Sequence, residues 1–100
     1  MHYKEIQIKN PITTKSVDQL IDDIKACNTS FLIINIGEHN FESVEVMKEL
    51  KNRLTAELKS QNHIRKIAFL IPPGITNKSA DENLYRYFSK KAEAVEWLTL

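Results

Sequence analysis

The chain predicts an α/β (α+β-like) fold: a single four-stranded mixed sheet with about three helices, in the order β-α-β-α-β-β-α. Three observations carry this. "FLIINI" at 31–36 and "IAFLI" at 67–71 are short isoleucine-rich runs, apolar on both faces apart from Asn35; such strands sit centrally under helices. Between them Val44, Met47, Leu50, Leu54 and Leu58 recur at steps of 3, 3, 4 and 4, an amphipathic helix able to serve as the crossover between parallel strands. "YKEIQIKN" alternates Ile6 and Ile8 with Glu5 and Gln7, a strand with one wet face.

The remaining elements follow in chain order. Pro11 ends the first strand, because proline brings no backbone N–H to a ladder. Val17, Leu20, Ile21, Ile24 and Cys27 then stand at helical spacing. Ser16 with Gln19 three residues on reads as a capping box, which sets the first helix to start near Ser16, with Asn28 as its stop. The second helix runs from 44 to about 61. Pro72 and Pro73 halt the strand at 67–71, and "GITNKSADEN" is polar, loop-forming sequence. "LYRYF" at 84–88 alternates again and reads as an edge strand. The last helix is expected from Ser89 onward, with Ala92, Val95 and Leu98 as its apolar face.

One hundred residues suit one domain spanning 1–100. The composition, 42% apolar and 27% charged, is that of an ordinary globular protein. A net charge of +1 creates no global field toward nucleic acid or an anionic membrane. The charge is uneven: residues 1–50 carry five Lys/Arg against eight Asp/Glu, and residues 51–100 nine against five. Glu38, Glu42, Glu45 and Glu49 concentrate the acid around one loop. Cys27 is the single cysteine, so no intrachain disulfide can form. "MHYKEIQIKN" lacks the apolar stretch of a signal peptide, and no run approaches the roughly 20 apolar residues of a membrane span. The expectation is a soluble cytoplasmic protein.

The motifs of catalysis are absent from the sequence. His2, His39 and His63 show no ligand spacing, so no metal is expected. Gly37 and Gly74 are the only glycines, which excludes a phosphate-cradling loop or dinucleotide fingerprint. No nucleophile elbow is present, Cys27 falls on an apolar helix face, and Tyr85, Arg86 and Tyr87 lack the basic stripe of a nucleic-acid platform. Neither an enzyme nor a cofactor is expected. Trp97 reads as a packing residue, and Lys90–Lys91 as solvated surface.

In open α/β sheets ligands gather beyond the carboxyl ends of the strands. Two loops fall there, at 37–43 and 72–83. Ser43 begins the second helix, where serine is a favoured cap and Glu45 suits the helix dipole. The same position presents its hydroxyl to solvent, and a phosphate there would accept first-turn amides and add about −1.5 to −2 charge.

At these residues the sequence resembles the STAS domain, named for sulphate transporters and anti-sigma factor antagonists. That family has a buried strand ending in hydrophobic-Asp-hydrophobic, a short loop, Asp-Ser and a Leu-rich helix. Ile34-Asn35-Ile36 stands for the triplet, Phe41-Glu42-Ser43 for the turn, and Met47 and Leu50 for the helix face. The later part, "RKIAFLI" at 65–71 and "YRYFSKKAEAVEWL" at 85–98, is similar to the SpoIIAA-like (STAS/SEC14-like) branch.

The resemblance implies a non-enzymatic regulatory protein-binding module with Ser43 as the phosphoacceptor. His39, Asn40, Glu42, Glu45, Val46, Pro72, Pro73 and Gly74 are the candidate contact residues. The implied partner is an anti-sigma-type kinase or another regulator, and the oligomeric state stays open. It also implies a first strand antiparallel to the second. A small apolar-ligand or lipid-binding protein in the SEC14 manner is the alternative, and needs a cavity between sheet and helix. A thioredoxin-like fold without its redox motif is the second alternative. It shares the element order and would make the first two strands parallel.

Overall fold

Apolar periodicity translates directly into elements. A computed structural model describes residues 3–60, 63–73 and 85–99. Within them lie β1 (Lys4–Gln7), α1 (Thr14–Lys25), β2 (Phe31–Asn35), α2 (Val44–Ser60), β3 (Lys66–Leu70), β4 (Tyr85–Phe88) and α3 (Lys91–Leu98), the expected order. The loop expected from Gly74 onward and the strand start at Leu84 lie outside the described residues.

The sheet order is β1-β2-β3-β4, and every neighbouring pair is parallel. The expected mixed sheet is therefore corrected to a parallel one. The STAS-like expectation of an antiparallel first strand is not met, because α1 returns the chain to the starting end of the sheet before β2 begins. The parallel β1–β2 pair has the direction that the thioredoxin-like alternative implies. β4 is parallel to β3, so 85–88 is not the return arm of a hairpin. It pairs with β3 alone and is an edge strand, as expected.

Each strand feeds two layers, since alternate side chains point to opposite faces. On one face Ile6, Ile8, Leu32, Ile34, Ile67 and Phe69 meet α1 and α2, which contribute Val17, Leu20, Ile21, Ile24, Val46, Leu50, Leu54 and Leu58. Two crossovers of one hand lie on one face when strands are laid down in order, as these are. Arg53 of α2 holds Asp18 of α1 and, at 3.4 Å, Glu49. These carboxylates hold the guanidinium pKa above its ordinary value, the Asp18 hydrogen bond foremost. On the other face Ile33 and Ala68 pack under Ala94, Trp97 and Leu98 of α3. Lys91 reaches Glu5 on β1 at 2.6 Å, tying the start of α3 to the far edge of the sheet. That hydrogen bond raises the Lys91 pKa.

Three helix details differ from expectation. Thr13, not Ser16, caps α1: its Oγ1 accepts from the Ser16 N–H at 3.3 Å while Ser16 Oγ accepts from the Thr13 N–H at 3.2 Å. Gln19 instead donates to Asp23 at 3.0 Å. α1 ends at Lys25 with Ala26 as its C-cap, three residues short of Asn28. α3 starts at Lys91 and buries Ala94, Trp97 and Leu98, whereas Ala92 is exposed. A tryptophan one turn above Ala94 brings more apolar area to the sheet than the Ala92–Val95 face could.

Candidate functional site

The loop after β2 is held by side chains of asparagine. Asn35 Oδ1 accepts from the Gly37 N–H at 2.8 Å, turning the chain as it leaves the strand. Gly37 and His39 take positive φ, 69° and 61°. Asn10, on the segment after β1, then ties the loop down: its Nδ2 donates to the Ile36 carbonyl at 2.9 Å and its Oδ1 accepts from the Asn40 N–H at 2.8 Å. An isolated parallel bridge joins Ile12 to Phe41, with Ile12 N–H donating to the Asn40 carbonyl (2.7 Å) and Glu42 N–H to the Ile12 carbonyl (2.9 Å). Asn10 escaped the sequence reading because a polar residue before a proline looks like any turn residue. The Asn-Pro pair was the available signal.

Ser43 caps α2. Its Oγ accepts from the Val46 N–H at 3.2 Å, and its carbonyl accepts from the Met47 N–H at 3.3 Å. Ser43→Ala should therefore lower stability by about 0.5–2 kcal/mol, read as a shift of the urea midpoint at constant slope. Glu42, Glu45 and Asn40 are exposed beside it, and His39 is half-buried, edge-on to Phe41 at 4.9 Å. Val46 is corrected: only 6% exposed, it faces the core and cannot be a contact residue. Its neighbours take that place. Val44 and Met47, expected in the core, are 61% and 40% exposed. Among the described residues they are the exposed large hydrophobics, and both follow the cap in the first turns of α2.

Pro72 is half-buried and Pro73 exposed at the end of β3, and Gly74 lies outside the described residues. Together with Asn35, Gly37, Glu38, Ser89 and Lys91, the two prolines border an open hollow of about 550 Å³. The structure thus brings the loop after β2 and the start of the loop after β3 to one end of the sheet, as the strand-end rule requires.

A second concavity lies between α2 and the β3–β4 edge. It is open to solvent, measures about 130 Å³, and is lined by Leu50, Leu54 and Leu58 on one side and Phe69, Tyr85 and Tyr87 on the other, with His39, Lys51 and Thr55 also bordering it. Phe69 and Tyr87 stack at 5.1 Å, and Tyr85 stands edge-on to both. Burial, with a smaller contribution from Tyr85, pushes the Tyr87 phenol up to about 12. The folded state thus holds the Tyr87 proton at a pH where the unfolded chain releases it. Stability should fall as the pH rises from about 10, the ordinary tyrosine value, toward about 12. In a spectrophotometric titration of the folded protein, Tyr87 should ionise late. A Tyr87→Phe variant should lose that late step.

Elsewhere the functional groups are quiet. Among the described residues no polar or charged side chain is buried, and no three metal-ligating side chains come together. Cys27 is buried with its Sγ 2.9 Å from Thr29 Oγ1. Arg86 and Lys66 flank the Trp97 ring instead of forming an open basic strip. No helix among the described residues is long and apolar enough to cross a membrane. No protein-family model, curated protein or solved structure matches the chain.

Proposed function

We propose that this chain is a non-enzymatic protein-binding module that recognises its partner through the 37–43 loop and the first turns of α2. The observation that carries this reading is the exposure of Val44 and Met47, one and four residues after the Ser43 cap. A large side chain in water gives up about 1.5–3 kcal/mol of burial energy, and two such residues beside one ordered loop make an apolar centre for an interface. Asn40, Glu42 and Glu45 supply a polar, acidic rim around it, the anatomy of a protein contact. The loop is preorganised by Asn10 and Asn35, which lowers the entropy cost of binding.

Ser43 is the switch in this reading. A phosphate on it would add negative charge to a surface already carrying Glu42 and Glu45, and would repel a partner selected for the unmodified face. The partner to try first is an anti-sigma-type serine kinase, the class that the STAS resemblance implies.

The test uses the intact protein from its native cell. Mass spectrometry should find a peptide phosphorylated at Ser43, and the co-purifying partner should lose at least about tenfold in affinity for Val44→Asp and for Ser43→Glu. An unmodified Ser43, with both variants binding as the wild type does, would sink the proposal.

A further inference from the structure

We propose that the outer edge of β1, with the flank of α1 beside it, pairs with a second copy of this chain across a two-fold axis. β1 is bonded to β2 on one side and, among the described residues, to no strand on the other. The Ile8 N–H donates to the Asn35 carbonyl at 3.0 Å. Backbone groups of successive strand residues point to alternate sides, so those of Glu5 and Gln7 face outward. Both residues are exposed. An unpaired row of this kind is a template for another strand. β3 and β4, which residues 74–84 join, lie on the other side of β2 from this edge.

The charges choose the occupant and its register. In an antiparallel pair centred on Gln7, Gln7 faces its own copy, Glu5 faces Lys9, and Ile6 faces Ile8. Opposite charges directly across two strands stabilise the pair. Glu5 holds Lys91 through one carboxylate oxygen at 2.6 Å, and its other oxygen can accept from Lys9 of the second copy. Centring the pair on Ile6 or Ile8 sets Gln7 against Glu5 or Lys9 and leaves no ion pair, and centring it on Glu5 opposes like charges. The other edge strand, Tyr85–Phe88, has no acidic residue to answer Arg86 and lacks this self-complementarity.

α1 repeats the symmetry. Lys15, Gln19 and Asp23 follow at steps of four along one face and, with Gln7 and Lys9, border a hollow beside the β1 edge. Ser16 Oγ donates to the Lys9 carbonyl at 3.4 Å, which sets the helix against the strand. Two residues back along the strand and four residues on along the helix each cover about 6–7 Å, so Gln19 lies level with Gln7. An axis through the Gln7 pair therefore runs past Gln19 too. It sets Lys15 of each copy against Asp23 of the other. Such a pair uses both β1 edges and closes at a dimer. The surface shares no residue with the 37–43 loop or α2, so the two proposals stand or fall separately.

Sedimentation equilibrium of the intact chain should show a concentration-dependent monomer–dimer equilibrium and nothing larger. Hydrogen exchange at the Gln7 N–H should slow as the dimer forms. Gln7→Pro removes that donor from an edge position where proline is tolerated, and should give a folded monomer. Lys15→Asp and Asp23→Lys should each weaken self-association at least about tenfold. Mixed one to one, these two variants should regain a heterodimer, since every charge then meets its opposite. Should Gln7→Pro fail to fold, the exchange at Gln7 and the charge-swapped mixture decide. A wild type that stays monomeric at millimolar concentration would leave the edge to a strand of another protein and overturn the proposal. So would a Gln7→Pro dimer as stable as the wild type, or a mixture that associates no better than its components.

Discussion

Trp97→Ala should destabilise the protein by about 3–5 kcal/mol, the range for truncating a buried aromatic. Trp97 is 6% exposed and packs on Phe88 at 5.7 Å between rings. The Lys66 ammonium lies 5.1 Å and the Arg86 guanidinium 5.4 Å from its ring, contacts worth about 0.5–1 kcal/mol each where solvent reaches them. A chain of this length is stable by roughly 5–15 kcal/mol in total, so the loss approaches half of it. The location matters more than the sum. α3 has eight residues, and isolated helices shorter than about 12–15 residues are marginal in water. It persists because Ala94, Trp97 and Leu98 bury themselves on Ile33 and Ala68.

Removing the ring should therefore melt α3 before the rest of the sheet. Hydrogen exchange would show this as protection lost first at residues 91–98, and urea unfolding would report the total. Trp97→Phe should recover most of the loss, because the contact with Phe88 survives. A Trp97→Ala protein within about 1 kcal/mol of the wild type would show that α3 is held by something other than this ring.

Gly37→Ala should cost about 2–4 kcal/mol, through two separable causes. The φ of 69° lies in the left-handed region, where a Cβ costs about 1–2 kcal/mol. A Cβ at Gly37 would also sit 2.6 Å from Asn10 Nδ2. The amide is the far end of a side chain and can swing away. Doing so abandons its bonds to the Ile36 carbonyl and the Asn40 N–H, each worth roughly 1 kcal/mol net. The two sites should therefore be coupled. In an Asn10→Ala background only the backbone strain remains, and Gly37→Ala should cost about 1–2 kcal/mol. Denaturant midpoints of the four proteins in this cycle provide the check, and an equal cost in both backgrounds would exclude the contact. If the partner reads the 37–43 loop, Gly37→Ala should also weaken binding while the sheet stays folded.

Much of the fold was legible from local pattern alone. The two doubly buried strands, the leucine stripe of α2 and the Ile6/Ile8 alternation each follow from the period of their own element, and they were found buried as read except for Phe31 and Leu70, which are half-buried. Where one period fitted two answers, sequence could not choose. Val46 and Met47 stand four and three residues before Leu50, about 100° apart around the helix, and either continues the stripe. Packing of α2 against α1 and the sheet selects Val46 and leaves Met47 at the edge of the cleft. Ser16 likewise fitted one capping box, yet Thr13 and Ser16 form another, because the first turn starts where the backbone leaves the Ile12 bridge.

The candidate site divides in the same way. Ser43 as a cap, and the position of its loop at the carboxyl end of the sheet, could be read from a polar residue between a buried strand and an amphipathic helix. The grip of Asn10 on that loop could not, since it joins residues 26 and 30 positions apart through the pairing of β1 with β2. Sequence by itself determined which residues are buried inside β1, β2, β3 and α1, since there the period of the element fits a single face, whereas in α2 and α3 it fitted more than one. Tertiary structure alone decided that all four strands run parallel, that Val44 and Met47 face water, and that a cleft remains between α2 and the sheet edge. Those outcomes depend on how separate elements meet, and the spacing within any one of them carries no record of that.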